Sequence, residues 1–346
     1  MTELRWGIIG PGRIADHFAA AISRCSTSRL VAVGARDPKR DDYGGRFPGA
    51  RVLEGYDAVL LDPDVDVVYI ATPHPFHAHW GIRAAEAGKH VLCEKPIGVN
   101  RAEAEAMFRA ARSAGTFMGE AFMYRFHPLT RKLVDVVRDG AVGPPRFIKS
   151  SFGFAQRRTA ENERLFAHEL GGGGILDLGV YPVSMVRLLA GVDTEARFTD
   201  PELVSATGHI GDTNVDEYAC AVLQFPGDLV AEVSCSISGE LDNTLRVFGT
   251  SGRIEVKEFW FGGGFDGGTA YINVFPSQGD PTSIPVGDEG RGLYDFEVDA
   301  VARAIANGSS EFTSPGMSWS DTLGNMQTAD RWRSAIGLRY SFENNT

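Results

Sequence analysis

The chain has no uninterrupted apolar run of about eighteen residues, the length a bilayer-spanning helix needs, so no membrane span is expected. Positive charge is scarce. Lys and Arg number 34 against 45 Asp and Glu, a formal net charge of -11 over 346 residues. Nucleic acids and anionic membrane surfaces both require clustered positive potential, which excludes them as expected partners. Any anionic ligand must therefore find its positive charge locally. Only four cysteines occur (Cys25, Cys93, Cys220, Cys235), with neither paired nor metal-ligand spacing. Buried free thiols in a reducing compartment are the expectation. Met1-Thr2-Glu3-Leu4-Arg5 leads straight into apolar Trp6-Gly7-Ile8-Ile9 without the plan of a signal peptide, so a cytoplasmic protein is expected. Internal repeats and long low-complexity linkers are also lacking. Phe261-Gly262-Gly263-Gly264-Phe265-Asp266-Gly267-Gly268 is a candidate mobile loop.

What is present suits two domains, with 43% hydrophobic residues available for cores. In the first third, short apolar strands (6–10, 30–35, 65–71, 89–93, 116–119) alternate with helical patterns such as 14–25 and 76–87. This alternation predicts a doubly wound parallel sheet over a first domain of residues 1–125. Beyond it, residues 126–346 are expected to form an α+β domain around a large open, mainly antiparallel sheet. Its candidate strands are 146–154, 202–209, 217–225, 229–238, 244–249 and 253–257, several with clean alternation. A helix is expected at 175–189, after four consecutive glycines, Gly171 to Gly174. Late helices at 293–306 and 319–335 are expected to cover the packed face. The segment 217–225 is apolar on both parities, as a sheet-to-sheet dimer or a short internal strand would require.

Gly10-Pro11-Gly12-Arg13-Ile14-Ala15 follows the first strand and opens the first helix. Glycines there permit a tight turn and let a pyrophosphate approach bare backbone, while the helix N-terminus supplies positive partial charge. Residues Gly10, Gly12, Arg13 and Ile14 are thus expected to bind a dinucleotide. The second strand ends Val33-Gly34-Ala35-Arg36-Asp37, with Arg36 where a 2'-phosphate would sit. NADP is therefore favoured, and Asp37 keeps NAD open.

The third and fourth strands exit through Thr72-Pro73-His74-Pro75-Phe76-His77 and Glu94-Lys95-Pro96. Both exits face the ligand crevice of such a sheet. Thr72, His74 and His77 are candidate cofactor contacts. A metal reading of His74, His77 and His79 fails because no nearby acid or cysteine completes a ligand set. Lys95 has three possible uses: holding phosphate, pairing with Glu94 or another acid, or moving protons at a substrate oxygen.

The Gly10 fingerprint, Ala71-Thr72-Pro73-His74, Glu94-Lys95-Pro96 and Gly173-Gly174-Ile175-Leu176-Asp177-Leu178-Gly179-Val180-Tyr181 occur in the order seen in the glucose-fructose oxidoreductase, inositol dehydrogenase and rhizopine-catabolism (Gfo/Idh/MocA) family. The resemblance spans essentially the whole chain. Val91-Leu92-Cys93-Glu94-Lys95-Pro96-Ile97-Gly98-Val99-Asn100 and Glu120-Ala121-Phe122-Met123-Tyr124-Arg125-Phe126-His127-Pro128 resemble its branch of dimeric trans-dihydrodiol and NADP-dependent D-xylose dehydrogenases. The resemblance implies a Rossmann domain, an open-sheet domain that often dimerises, and hydride exchange between nicotinamide and a sugar or diol hydroxyl. Two departures stand out. Tyr181 replaces a histidine common in the family, and Met123 replaces a tryptophan, removing a stacking wall that an aromatic diol would use.

Oxidising an alcohol needs a base for the hydroxyl proton, and lysine, with a pKa of about 10.4 in water, reaches the useful range only through desolvation or nearby positive charge. On this reading Lys95 is the general acid/base, Tyr181 a donor or proton relay, and Asp177 its neighbour one helical turn away, the three converging at the domain boundary. Glu94 is expected to fix backbone or the nicotinamide ribose. Met123, Arg146 and Phe152 are second-rank pocket residues. Two other functions fit the same residues: a sugar–sugar oxidoreductase with tightly held NADP, and a noncatalytic nucleotide-sensing protein.

Overall fold

Short runs of apolar and β-branched residues, cut by glycine and proline turns, build the first sheet. Its strands are β1 (Leu4–Ile9), β2 (Ser28–Ala35), β3 (Arg51–Glu54), β4 (Val67–Ile70), β5 (His90–Glu94) and β6 (Met118–Ala121). They lie in the order β3-β2-β1-β4-β5-β6, and every neighbouring pair is parallel. β4, Val67-Val68-Tyr69-Ile70, is buried throughout, as a central parallel strand covered on both faces must be. The chain direction across the sheet reverses between β1 and β4, the switch point where such sheets bind ligands. The sequence did not mark β3, a short edge strand of mixed polarity.

The computed structural model describes residues 3–39, 42–160 and 162–345. The backbone divides into two units. One comprises Met1–Gly98, Ala102–Phe126 and Gly292–Thr322, and the other Val99–Arg101, His127–Arg291 and Leu323–Thr346. Residues 292–322, expected with the second domain, thus pack with the first. The helix Asp295–Ala306 lies on the helix Arg13–Arg24 and on β2, where Val298 and Val301 are buried.

The second unit carries β7 (Pro145–Gly153), β8 (Leu203–Ile210), β9 (Asp216–Gln224), β10 (Val230–Ser236), β11 (Leu245–Gly249), β12 (Gly252–Val256), β13 (Thr269–Pro276) and β14 (Thr282–Gly287). Their order is β14-β13-β12-β11-β7-β10-β9-β8, antiparallel except for β7 with β10. The inner face is covered by the stretch Ile175–Ala190, which packs on β7, β9 and β10. This stretch starts as a π-turn, Ile175–Gly179, and continues as the α-helix Val180–Ala190. The wider segment His168–Ala190 is apolar and long enough to cross a membrane by composition, but its apolar window is 94% buried within the protein.

On β9 the alternation is strict. Ala219, Ala221 and Leu223 point inward, while Tyr218, Cys220, Val222 and Gln224 are exposed. Cys220 thereby departs from the expectation of buried thiols; Cys25, Cys93 and Cys235 meet it.

Candidate active site

In the first unit, Gly10 follows β1 at φ +81, and a Cβ there would lie 2.7 Å from the Ala71 carbonyl and 2.8 Å from Thr72 N. Only glycine lets these strand exits approach so closely. Gly12 begins the helix Arg13–Arg24 with no side-chain cap and no atom within 4 Å of its Cβ direction, leaving the helix N-terminus open to an anion. Beside it, the Thr72 Oγ1 is buried without a hydrogen-bond partner. A bare turn, an uncapped helix start and an orphaned hydroxyl together fit a dinucleotide phosphate. Arg13 is exposed and Ile14 half-buried at this helix start. Arg36 is exposed directly after β2 and acts electrostatically on the Tyr56 phenol. The Asp37 carboxylate accepts from the Lys39 amide at 3.0 Å, so it serves its own turn.

Lys95 follows β5, half-buried, on the same sheet edge as Gly10 and Thr72. Glu94 supports it from within. One carboxylate oxygen accepts from the Tyr69 hydroxyl at 2.5 Å, and the other from the Lys95 amide at 3.2 Å. Burial and then the nearby Glu94 charge hold the Tyr69 phenol well above its usual range. Glu297 is fully buried close enough for burial and the Glu94 charge to push its carboxyl well up, and neither of its oxygens has a hydrogen-bond partner. Two acids this close in a dry site favour the proton-bearing form of one. Glu120, at the end of β6, accepts from the Ile97 amide at 2.9 Å and from the Thr322 hydroxyl at 2.8 Å, and burial pushes it up to about 7. His74 and His77 are buried, with ring centroids 5.7 Å apart, while His79 is exposed. Met123 is buried in a 3-10 turn, Met123–Arg125. Among the described residues no group of three His, Cys, Asp or Glu side chains is placed to hold a metal ion.

In the second unit, Asp177 lies within the π-turn and its Oδ1 accepts from Arg164 Nη2 at 3.1 Å. Tyr181, in the following helix, meets Phe152 and Trp260 edge-on at 5.1 and 5.8 Å. Phe261 packs edge-on against Phe152 at 5.8 Å. Phe152 and Tyr181 are thus in direct ring contact. Arg146 is not part of this group. It is exposed at the opposite end of β7 from Phe152, paired with Asp228 at 3.5 Å. The start of the helical stretch is fixed by buried Asp216, whose Oδ2 accepts from the Ile175 amide at 2.6 Å. A Cβ on Gly173 would lie 2.2 Å from Asp216 Oδ1, which explains a glycine there. The glycine-rich loop is tied down: Asp288 accepts from the Gly268 and Gly290 amides at 2.5 and 3.0 Å, and Gly262 abuts the His127 ring.

The family model of the Gfo/Idh/MocA oxidoreductases, NAD-binding Rossmann fold, matches residues 4–122, and that of the Gfo/Idh/MocA C-terminal domain matches residues 130–255. The chain belongs to this oxidoreductase family. It is therefore an enzyme with a nicotinamide dinucleotide cofactor, and the first sheet is the family's Rossmann fold. It is 39% identical over 264 residues to a trans-1,2-dihydrobenzene-1,2-diol dehydrogenase of Mus musculus, spanning 74% of this chain and 75% of that protein. Its fold resembles a 3-ketoreductase from Actinomadura kijaniata in complex with NADP and TDP-benzene (TM-score 0.85, 27% identity, 97% and 98% of the two chains). A similar match is an aldose-aldose oxidoreductase from Caulobacter crescentus (TM-score 0.84, 26% identity, 96% and 97%).

Tyr69, Glu120, Glu297, Arg164, Asp216 and Trp260 were not among the sequence candidates. Trp260 had a weak signal in the aromatic run Phe259-Trp260-Phe261 ahead of the glycine loop. The others depend on partners remote in sequence and had none.

Proposed function

We propose that the protein is a dehydrogenase preferring NADP, oxidising a hydroxyl of an aldose or vicinal diol, with Lys95 as general acid/base. The observation that carries this reading is Lys95 at the carboxyl end of β5, on the same sheet edge as the open Gly12 helix start and the orphaned Thr72 hydroxyl. The dihydrodiol dehydrogenase and aldose oxidoreductase relatives support the substrate class. Arg36 at the β2 tip, with Asp37 occupied by its own turn, supports NADP.

A bound nicotinamide supplies the hydride acceptor. Lys95 Nζ takes the hydroxyl proton as the carbinol C–H gives up its hydride and the carbonyl forms. Glu94, bonded to the Lys95 amide, holds the backbone that carries the amine. Tyr181 donates to a substrate oxygen, and Asp177, oriented by Arg164, is the acceptor in the same unit. Phe152, Trp260 and Phe261 gather aromatic faces around Tyr181 in the second unit, which suits the apolar face of a sugar ring or a cyclic diol. The outer face of the second sheet, with Tyr218 51% and Val222 47% exposed beside the Lys149–Glu232 and Arg246–Glu255 pairs, is the surface through which two copies would associate in the cytoplasm.

A panel of aldoses and diols, assayed with NAD and NADP in parallel, tests the proposal. Reduction of NADP by at least one member is expected. Silence across the panel despite measurable cofactor binding would return the protein to the nucleotide-sensing reading. The likeness to an aldose-aldose oxidoreductase favours a second reading, in which hydride passes between two sugars without cofactor release. Nucleotide absorbance persisting through purification would select it.

A further inference from the structure

We propose that His77 is a positioning residue for Lys95, a buried imidazolium whose two N–H groups tie the loop after β5 to the loop after β4. The inference rests on the reading of Lys95 as the acid/base.

His77 is wholly buried. Its Nδ1 lies 2.8 Å from the Pro96 carbonyl oxygen and its Nε2 lies 2.7 Å from the Thr72 carbonyl oxygen. Carbonyl oxygens only accept, and a neutral imidazole has a single N–H. A neutral ring would therefore press one nitrogen lone pair against a carbonyl lone pair where no water reaches. A ring with both protons satisfies both contacts. Burial and the start of the helix His77–Glu86 oppose the charge. The acids at this end of β5 are Glu94, Glu120 and Glu103, which act on the buried Cys93 thiol after desolvation; the two carbonyl contacts set the proton count on the His77 ring. His74 is the neighbouring ring, edge-on.

The two contacts fall on informative atoms. The Pro96 carbonyl and the Ile97 amide belong to one planar peptide unit; His77 grips its oxygen and Glu120 its N–H. Holding both ends fixes the plane, and with it the residue just before, Lys95. The Thr72 carbonyl belongs to the loop against which the Gly10 turn is packed. His77 therefore sets the register between the dinucleotide turn and the amine.

Two measurements decide the matter. Nitrogen NMR of the full chain with labelled histidine, with the His77 ring assigned through its contacts with Pro96, is expected to show both ring nitrogens protonated at neutral pH. A nonprotonated ring nitrogen overturns the imidazolium. In kinetics, His77→Gln retains at most one of the two bonds; kcat should fall on the order of 10²-fold, with substrate KM near the parent's. A double-mutant cycle with Lys95→Ala should show the double variant no slower than Lys95→Ala alone. Fully additive losses overturn a role exerted through Lys95. Should Lys95→Ala itself keep a rate within about tenfold of the parent, the acid/base reading fails, and the nitrogen resonances still decide the state of His77.

Discussion

At the residue scale, the candidates fixed by backbone requirements were legible in the sequence, and those fixed by remote partners were not. Gly10 and Gly12 announce themselves because a tight turn against the Ala71–Thr72 exit tolerates no side chain at Gly10. Glu94 was readable as a support, but its bond to Tyr69, 25 residues away, leaves no local trace. His77 was readable only as a histidine near a ligand edge, because its acceptors are backbone carbonyls, which every residue possesses. Arg36 is the residue on which cofactor choice should turn. Arg36→Ala is expected to raise the KM for NADP while changing that for NAD little, because only the 2'-phosphate is deprived of a cation; the two KM values measured side by side check it. An equal rise in both would mean that Arg36 serves the shared part of the dinucleotide.

At the element scale, strand and helix alternation gave every strand of the first sheet except β3, and longer, often alternating runs gave β7 to β12 of the second. β13 and β14 went unread because serines, glycines and prolines interrupt or flank them, and the long helical stretch at 175–190 hid a π-turn that periodicity does not resolve. π-turns recur at functional sites, and this one carries Asp177. The end of β6 makes a quantitative prediction. Burial raises Glu120 from 4.5 to about 7, so the folded state retains a proton that the unfolded chain releases. Stability contributed by that proton is complete below about 4.5 and is lost as pH rises to about 7. Glu120→Gln keeps an acceptor for the Ile97 amide and removes the titration. It should be more stable than the parent at pH 8, by on the order of 3 kcal/mol at most, and equal to it near pH 4.5. Denaturant melts at the two pH values test this; a variant less stable at both would mean that the carboxylate charge is needed where it lies.

At the scale of the whole molecule, the proposed association of two copies would run through the outer face of the second sheet, where Tyr218 and Val222 are exposed. Leu203 and Tyr271 add to its exposed apolar area, at 51% and 52% exposure. Sedimentation of the parent is expected to give a dimer, and Val222→Glu or Tyr218→Glu, each placing a charge on β9's outer face, should shift it to monomer. A monomeric parent would contradict that association. The account as a whole stands on a proton leaving a hydroxyl for Lys95 while the dinucleotide is held elsewhere in the same unit. Lys95→Ala, with NADP binding titrated and turnover measured on the best substrate of the panel, separates the two directly. The account predicts unchanged cofactor affinity and turnover lower by about 10²-fold or more, and a rate within about tenfold of the parent would contradict it.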